Sequence, residues 1–507
     1  MRTEKSKPKI KTWVAAIFAS FALIFMAVSL FFSFPSIYQK QITPEQNSEK
    51  IIKKAIAISL LGPFPSYKGP ELPKDYVKKH FSTLKKPSEL TDDDYKKVKD
   101  LYLNDSSIRD ITLLSRLINL EKLDLYNIQV TSIEPLARLK NLQSLMVYNM
   151  PVSNIEPLGN LTNLQRLTLY SLPVSDLKAL SNCTNLQTLR LLSLGPIGNI
   201  EPLRNLTNLR ELGLNASKVS DINVLSNLTT LQELGLNVNG AEVRDLRPLE
   251  NLVNLRTLSL NVSGTEVSDL RPIENLTNLR TLSLSGTQIA ELKPLASLIN
   301  LQELNIYNAS VSDFEPLANL VNLETFHIAY MQVGDISVLA KLPKLHTLNL
   351  HKSRVINVGP LSNLINLRDI RLDEPNDKDI EWIANLTNLE DLDLHGTQAV
   401  DIGPIVKLKK LRALSLDKLI LHNISPLAQL PELQDLTVSV TRVSDIRFLA
   451  RLANLTSLSL SSTKPIDFTP IVILRKLETL NLVSTQVTKQ QIAELKKAMP
   501  DVYISGP

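Results

Sequence analysis

The chain has little of what disulfide cross-linking, nucleic-acid binding or common catalytic chemistry requires. Cys183 is the only cysteine in 507 residues, so there is no intrachain disulfide and no cysteine near the amino terminus for lipid attachment. The formal net charge is only +5, and the first eleven residues carry +4 of it. The remainder is nearly neutral, which leaves no basic footprint for nucleic acid. The sequence also lacks a phosphate-binding glycine loop, paired histidines on a helix and a nucleophile elbow.

What the chain has instead is a leucine that recurs at a nearly fixed interval. After Val98 the same position is filled by Leu120, Leu142, Leu164, Leu186, Leu209, Leu231, Leu255, Leu279, Leu301, Leu323, Leu345, Leu367, Leu389, Leu411, Leu433, Leu455 and Leu477. Most intervals are 22 residues. A register kept this long is typical of stacked repeats and not of an ordinary globular core.

One repeat is enough to predict the local structure. Leu279, Leu282 and Leu284 have the spacing of a short strand, with the polar residues between them directed to the opposite face. Pro294 then favours the first turn of a short helix or 3₁₀ segment. We predict an array of about 18 such repeats over residues 91–486, including an amino-terminal cap, and a cap helix and strand over 487–507.

The repeat string NLTNLRTLSLSGTQIAELKPL resembles the short leucine-rich repeats of bacterial surface and secreted proteins, of which the internalins are the familiar type. The resemblance covers about residues 91 to 507. It implies an α/β leucine-rich-repeat solenoid with a curved parallel sheet on the concave face and short 3₁₀, helical or extended segments on the convex face. The function that the resemblance implies is protein recognition. The chain departs from the family after the strand, where Ser353, Thr397 and Thr463 replace a stacking asparagine.

The amino-terminal region predicts a membrane protein. Residues 1–11 form a basic tail and residues 12–34 are apolar over a length that spans a bilayer, so we expect a single transmembrane helix acting as a signal anchor. A cleavable signal peptide ending near Ala27 to Ser29 is the alternative. The tail charge keeps the tail in the cytoplasm and the repeats outside. Residues 35–90 are predicted to be a stalk with one short helix around 49–61, or a packed cap.

The cysteine-clamped caps of animal and plant extracellular leucine-rich repeats have no counterpart here, which indicates a bacterial cell envelope. The expected location is therefore the bacterial cell membrane, with the repeats in the periplasm or at the cell surface. No cofactor or metal is expected.

Candidate ligand-binding residues are those that alternate with the buried leucines and point into the predicted concavity. They are Tyr126, Tyr148, Tyr170, Asn215, Asn237, Asn261, Tyr307, His351, Arg371, Asp373, His395 and Asp417. Stacked tyrosines are typical of protein interfaces. The main hypothesis is recognition of a protein partner outside the cytoplasmic membrane. One alternative is a metal-assisted hydrolase using His351, Asp373, His395 and Asp417, and another is a cytoplasmic scaffold or secreted effector.

Overall fold

The computed structural model describes residues 44–60 and 86–506, apart from 216–217, 239–241, 287, 356, 374–379, 398, 400, 420, 422 and 466. The predicted basic tail (1–11), transmembrane helix (12–34) and much of the predicted stalk lie outside the described residues. Within the described ranges, no helix has both the length and the apolar character needed to cross a membrane.

The chain divides into two compact units, residues 1–164 and 165–507. The first unit has two α-helices, α1 (Pro44–Ser59) and α2 (Asp92–Lys97), and three strands, β1 (Asp100–Asn104), β2 (Lys122–Tyr126) and β3 (Ser144–Tyr148), within its described part. Its 3₁₀ segments are Pro87–Glu89, Thr112–Arg116, Glu134–Arg138 and Glu156–Asn160.

The second unit repeats the strand and 3₁₀ pattern to its end. Its strands are β4 (Arg166–Tyr170), β5 (Thr188–Leu192), β6 (Glu211–Asn215), β7 (Glu233–Asn237), β8 (Thr257–Asn261), β9 (Thr281–Ser285), β10 (Glu303–Tyr307), β11 (Thr325–Ala329), β12 (Gln332–Val333), β13 (Thr347–Leu350), β14 (Arg354–Val355), β15 (Asp369–Leu372), β16 (Asp391–Asp393), β17 (Ala413–Ser415), β18 (Asp435–Thr437), β19 (Ser457–Ser459), β20 (Thr479–Asn481) and β21 (Tyr503–Ser505). Helix α3 (Lys489–Ala498) precedes β21.

The 3₁₀ segments of the second unit lie between these strands. They are Lys178–Asn182, Glu201–Leu203, Asn223–Asn227, Arg247–Leu249, Arg271–Ile273, Lys293–Ser297, Glu315–Asn319, Ser337–Lys341, Gly359–Asn363, Glu381–Asn385, Gly403–Lys407, Ser425–Gln429, Arg447–Arg451 and Thr469–Ile471. Many begin with proline at the first or second position, as the sequence predicted.

Strands pair in parallel with matched register inside each unit. In the first unit Leu101 lies beside Leu123, and in the second unit Leu282 lies beside Leu304. These leucines are almost fully buried, whereas the residues between them point outward. The predicted parallel leucine-rich-repeat class is therefore confirmed, with stacked leucines forming the core of each unit.

Capping motifs are present at both termini of the array. At the start, the Thr91 N–H donates to Asp94 Oδ2 at 2.9 Å, which closes a capping box at the beginning of α2. The helix predicted around 49–61 runs from Pro44 to Ser59, and its Ser48 Oγ accepts the Arg109 N–H at 2.7 Å. Ile52 and Ile56 are fully buried, so this part of the predicted stalk is a packed cap. At the end, Thr488 caps α3, and β21 pairs with β20.

The main asparagine ladder lies before the strand. In the first unit a shorter ladder also follows the strands, where Asn127 Nδ2 donates to Asn104 Oδ1 at 3.0 Å and Asn149 Nδ2 donates to Asn127 Oδ1 at 2.8 Å. In the main ladder, Asn300 Nδ2 donates to the Thr277 carbonyl at 2.9 Å, and Asn322 repeats this bond to the Ile299 carbonyl. Each asparagine thereby satisfies a carbonyl of the preceding coil. After the strand, Thr463 Oγ1 instead bonds the Leu460 carbonyl within its own turn. In the sequence, this main ladder corresponds to the asparagine that recurs within Leu-x-Asn-Leu.

Candidate functional site

In each unit, most of the candidate residues lie in a row on the outward face, where the strands end. Tyr126, Tyr148, Tyr170, Asn215, Asn237, Asn261 and Tyr307 are the last residues of their strands. His351 and Asp373 follow their strands by one residue, and His395 and Asp417 follow theirs by two. Arg371 lies within β15. Asp373 is buried and the others are half-buried, so each row is a solvent-accessible strip and not a deep cavity.

Three tyrosines are in ring contact in the first unit. The ring centroids of Tyr102 and Tyr126 are 5.2 Å apart, and those of Tyr126 and Tyr148 are 5.5 Å apart, with interplanar angles of 40° and 32°. We call Tyr102, Tyr126 and Tyr148 the tyrosine cluster. Tyr102 was missed because it stands in the middle of β1 and not at its end. Tyr170, expected to extend this group, belongs to the second unit.

A half-buried carboxylate sits within the tyrosine cluster. Burial raises the pKa of Asp124, although Lys122, with Nζ 3.2 Å from Asp124 Oδ2, opposes that effect. Burial, followed by the negative charge of Asp124, raises the pKa of Tyr126 to about 12. The Tyr126 hydroxyl lies 2.6 Å from Met146 Sδ. Burial thus favours the neutral phenols of Tyr102 and Tyr126, and the tyrosine cluster is an aromatic surface with one poorly solvated carboxyl beside it.

The asparagine row of the second unit is also in register. Asn215 lies beside Asn237, and Asn237 beside Asn261. Tyr307 lies two strands further along, beyond Ser285. Neighbouring strands are about 4.8 Å apart, so the three amides form a continuous polar strip.

Further along the second unit, four ionisable side chains make a connected group. His351 Nδ1 lies 2.6 Å from Asp373 Oδ2, in a polar contact that is not an aligned hydrogen bond. Arg371 Nε stands between Asp373 Oδ1 at 3.4 Å and Asp393 Oδ2 at 3.3 Å. The Lys352 backbone N–H also donates to Asp373, whose side chain is only 5% exposed. We call His351, Arg371, Asp373 and Asp393 the acid–base cluster.

Two turn residues near His351 were not predicted: Tyr330 contacts the His351 ring, and Lys352 contacts the Tyr330 ring. Tyr330 meets the His351 ring edge-on at 5.8 Å, and Lys352 Nζ lies 5.3 Å from the centre of the Tyr330 ring. Both Tyr330 and Lys352 have left-handed backbones, with φ of 60° and 46°. They escaped notice because the sequence pattern identifies strand faces and gives no direction for side chains in the turn after the strand.

The metal-assisted hydrolase hypothesis requires the side chains of His351, Asp373, His395 and Asp417 to come together. In the structure only His351 and Asp373 are in contact. Asp417 accepts the Ser439 backbone N–H at 2.8 Å, and the His395 backbone N–H donates to Asp393 at 3.2 Å. Across the described part of the chain, no three histidine, cysteine, aspartate or glutamate side chains are placed to share a metal ion. Among the described residues, the His351–Asp373 pair is therefore a polar contact with no third histidine, cysteine, aspartate or glutamate placed to complete a metal site.

Comparison with known proteins gives the family. A model of the leucine-rich repeat region matches residues 235–503, which is more than half of the chain. A leucine-rich-repeat protein of Leptospira interrogans is similar in structure, with a TM-score of 0.60, 21% identity, and coverage of 74% of this chain and 98% of that one. An internalin of Listeria monocytogenes is 22% identical over 87% of this chain and 98% of its own, at a TM-score of 0.38.

No curated protein sequence matches the chain significantly. The Leptospira structure shares the fold, and the matched region indicates no enzyme family. Combined with the paired parallel strands and buried leucines, the repeat-region match confirms the family predicted from the repeats. The chain belongs to the leucine-rich-repeat family.

Proposed function

We propose that this chain is a membrane-anchored recognition protein whose outward sheet face binds a protein partner outside the cytoplasmic membrane. The observation that carries this proposal is the tyrosine cluster. Its three rings pack against one another on the outward side of the sheet, away from the buried leucines. Rigid, amphipathic aromatic side chains supply much of the affinity at protein interfaces because they bury a large area at little entropic cost.

The anchor and its orientation rest on the apolar segment 12–34 and the basic residues that precede it. Protease treatment of intact cells tests the orientation. We expect the repeats to be digested while the tail survives. Protection of the repeats in intact cells, with digestion after lysis, would instead favour a cytoplasmic scaffold.

Binding through the tyrosine cluster is testable by photo-cross-linking in cells. A photoreactive amino acid at position 148 should capture a partner protein, and Tyr126→Ala should lower the adduct yield by at least about tenfold. Tyr503→Ala is the matched control, because Tyr503 is outward and 73% exposed in β21 of the second unit. Equal adduct yields in the Tyr126 and Tyr503 variants would contradict a role for the tyrosine cluster.

A further inference from the structure

Two adjacent glycines on the outward face are required neither by steric packing nor by their backbone conformation. Gly213 and Gly235 lie side by side in the middle of β6 and β7. A Cβ atom on Gly235 would come no closer than 4.0 Å to any neighbour, and one on Gly213 no closer than 3.6 Å. Neither residue has a left-handed backbone. Glycine weakens a strand, and where packing does not require it, it often marks close approach by another molecule.

The glycines begin a trough that runs across four strands. Ser259 and Ser283 continue the same row on β8 and β9, so the floor carries no side chain larger than serine. Three strand spacings of about 4.8 Å make the floor about 14 Å long. Asn215, Asn237 and Asn261 line the side where the strands end. Glu211 and Glu233 line the side where they begin.

Larger side chains close both ends of this trough. Arg190, ion-paired to Glu211, stands in the same row on β5. Asn305 stands in the row on β10, beside Ser283, and is only 8% exposed. Its Nδ2 donates to Glu303 Oε1 at 2.8 Å, whereas its Oδ1 is buried and has no donor among the described residues. A buried carbonyl oxygen without a donor is unfavourable, and an incoming N–H group would satisfy it.

We propose that this trough, Gly213 to Ser283 closed by Asn305, holds an extended polypeptide segment of the protein partner. A length of about 14 Å corresponds to about four extended residues at 3.3 Å each. A floor without side chains requires that the residues facing it be small. Side-chain amides along one wall can both donate to and accept from a peptide backbone. The floor offers no aromatic ring on which a sugar could stack, and the two glutamates disfavour nucleic acid.

This inference rests on the proposed function and identifies a second contact of the same partner class. The test uses the full-length chain in detergent as bait for a random dodecapeptide phage library. One selected peptide is then synthesised, and its affinity is measured by fluorescence anisotropy. Gly235→Gln fills the trough. Thr437→Gln is the control, because Thr437, the last residue of β18, occupies the same repeat position between Ser415 and Ser459.

We expect Gly235→Gln to weaken peptide binding by at least about tenfold. Its melting temperature should stay the same or rise, since strand glycine is replaced. Thr437→Gln should change the affinity less than about twofold. Asn305→Leu should also weaken binding while raising the melting temperature, because it removes an unpaired buried oxygen.

Three results would overturn the proposal: failure to select any binding peptide, unchanged affinity in Gly235→Gln, or a lowered melting temperature in that variant. The photo-cross-linking experiment depends on the tyrosine cluster in the first unit. If photo-cross-linking at the tyrosine cluster still captures a partner while the peptide test fails, the trough is not a peptide-binding site and the proposed function is unaffected.

Discussion

The tyrosine cluster and the acid–base cluster both lie on the outward face of parallel strands, yet they differ in how many partners each gives to its aspartate carboxyl. Asp124 is half-buried with a single cation, Lys122, and burial raises its pKa. Asp373 is more buried but contacts His351, Arg371 and the Lys352 backbone N–H. The outward face of the strands thus supports an aromatic surface in one unit and a network of connected polar side chains in the other. What differs is the number of donors that the neighbouring strands supply.

The largest expected effect separates the two aspartates. Asp373→Asn removes a nearly buried charge, leaves Arg371 with one counter-ion fewer and takes the carboxylate partner from His351, so we expect a loss of about 2–3 kcal/mol in unfolding free energy. Asp124→Asn keeps the shape and removes a charge that burial disfavours, so stability should change by less than about 1 kcal/mol. Chemical denaturation of both variants measures the difference. Equal losses would show that the two clusters do not differ in this way.

The next test concerns the turns that follow the strands. The first unit uses Asn127 and Asn149 in the left-handed conformation, whereas the second unit places Val440 there, with φ of 54° and 54% exposure. A β-branched residue is disfavoured in this conformation and asparagine is tolerated. Val440→Asn should therefore stabilise the chain by about 1 kcal/mol, and Asn127→Val should destabilise it by more than that, because it also removes the hydrogen bonds of Asn127 with Asn104 and Asn149. Thermal unfolding that shifts both variants in the same direction would contradict this explanation.

The smallest effect is a pH dependence of the tyrosine cluster. The pKa of Tyr126 is raised from 10.0 to about 12 in the folded chain. Between these values the native state keeps a proton that the unfolded state has released. The stabilising contribution is therefore complete below pH 10 and is lost as pH rises through about 12. Burial also raises the pKa values of Tyr102 and Tyr307, so the distinguishing signal in an absorbance titration is a step near pH 12, which Tyr126→Phe should remove. A late step that persists in this variant would belong to another residue.

Sequence periodicity predicted the outward row because strands alternate strictly between two faces. It identified Tyr126, Tyr148 and Asp373 as outward residues, but it could not say that Tyr102 would touch Tyr126 from a different position in the neighbouring strand. Periodicity also does not predict where the side chains of turn residues point, so it did not predict the contact between the Tyr330 and His351 rings. The asparagine ladder was visible as a recurring letter, yet its bonds join consecutive coils about 23 residues apart.

The sequence by itself determined the repeat length, the parallel strands, the buried leucine rows and the capping motifs. All of these follow from local spacing that each coil satisfies in the same way. Only the tertiary structure determined which outward side chains are in contact and how many donors reach Asp373. It also showed that a Cβ atom would fit at Gly213 and Gly235. Those outcomes depend on contacts between coils, and such contacts are set by three-dimensional register and not by the order of residues within one repeat.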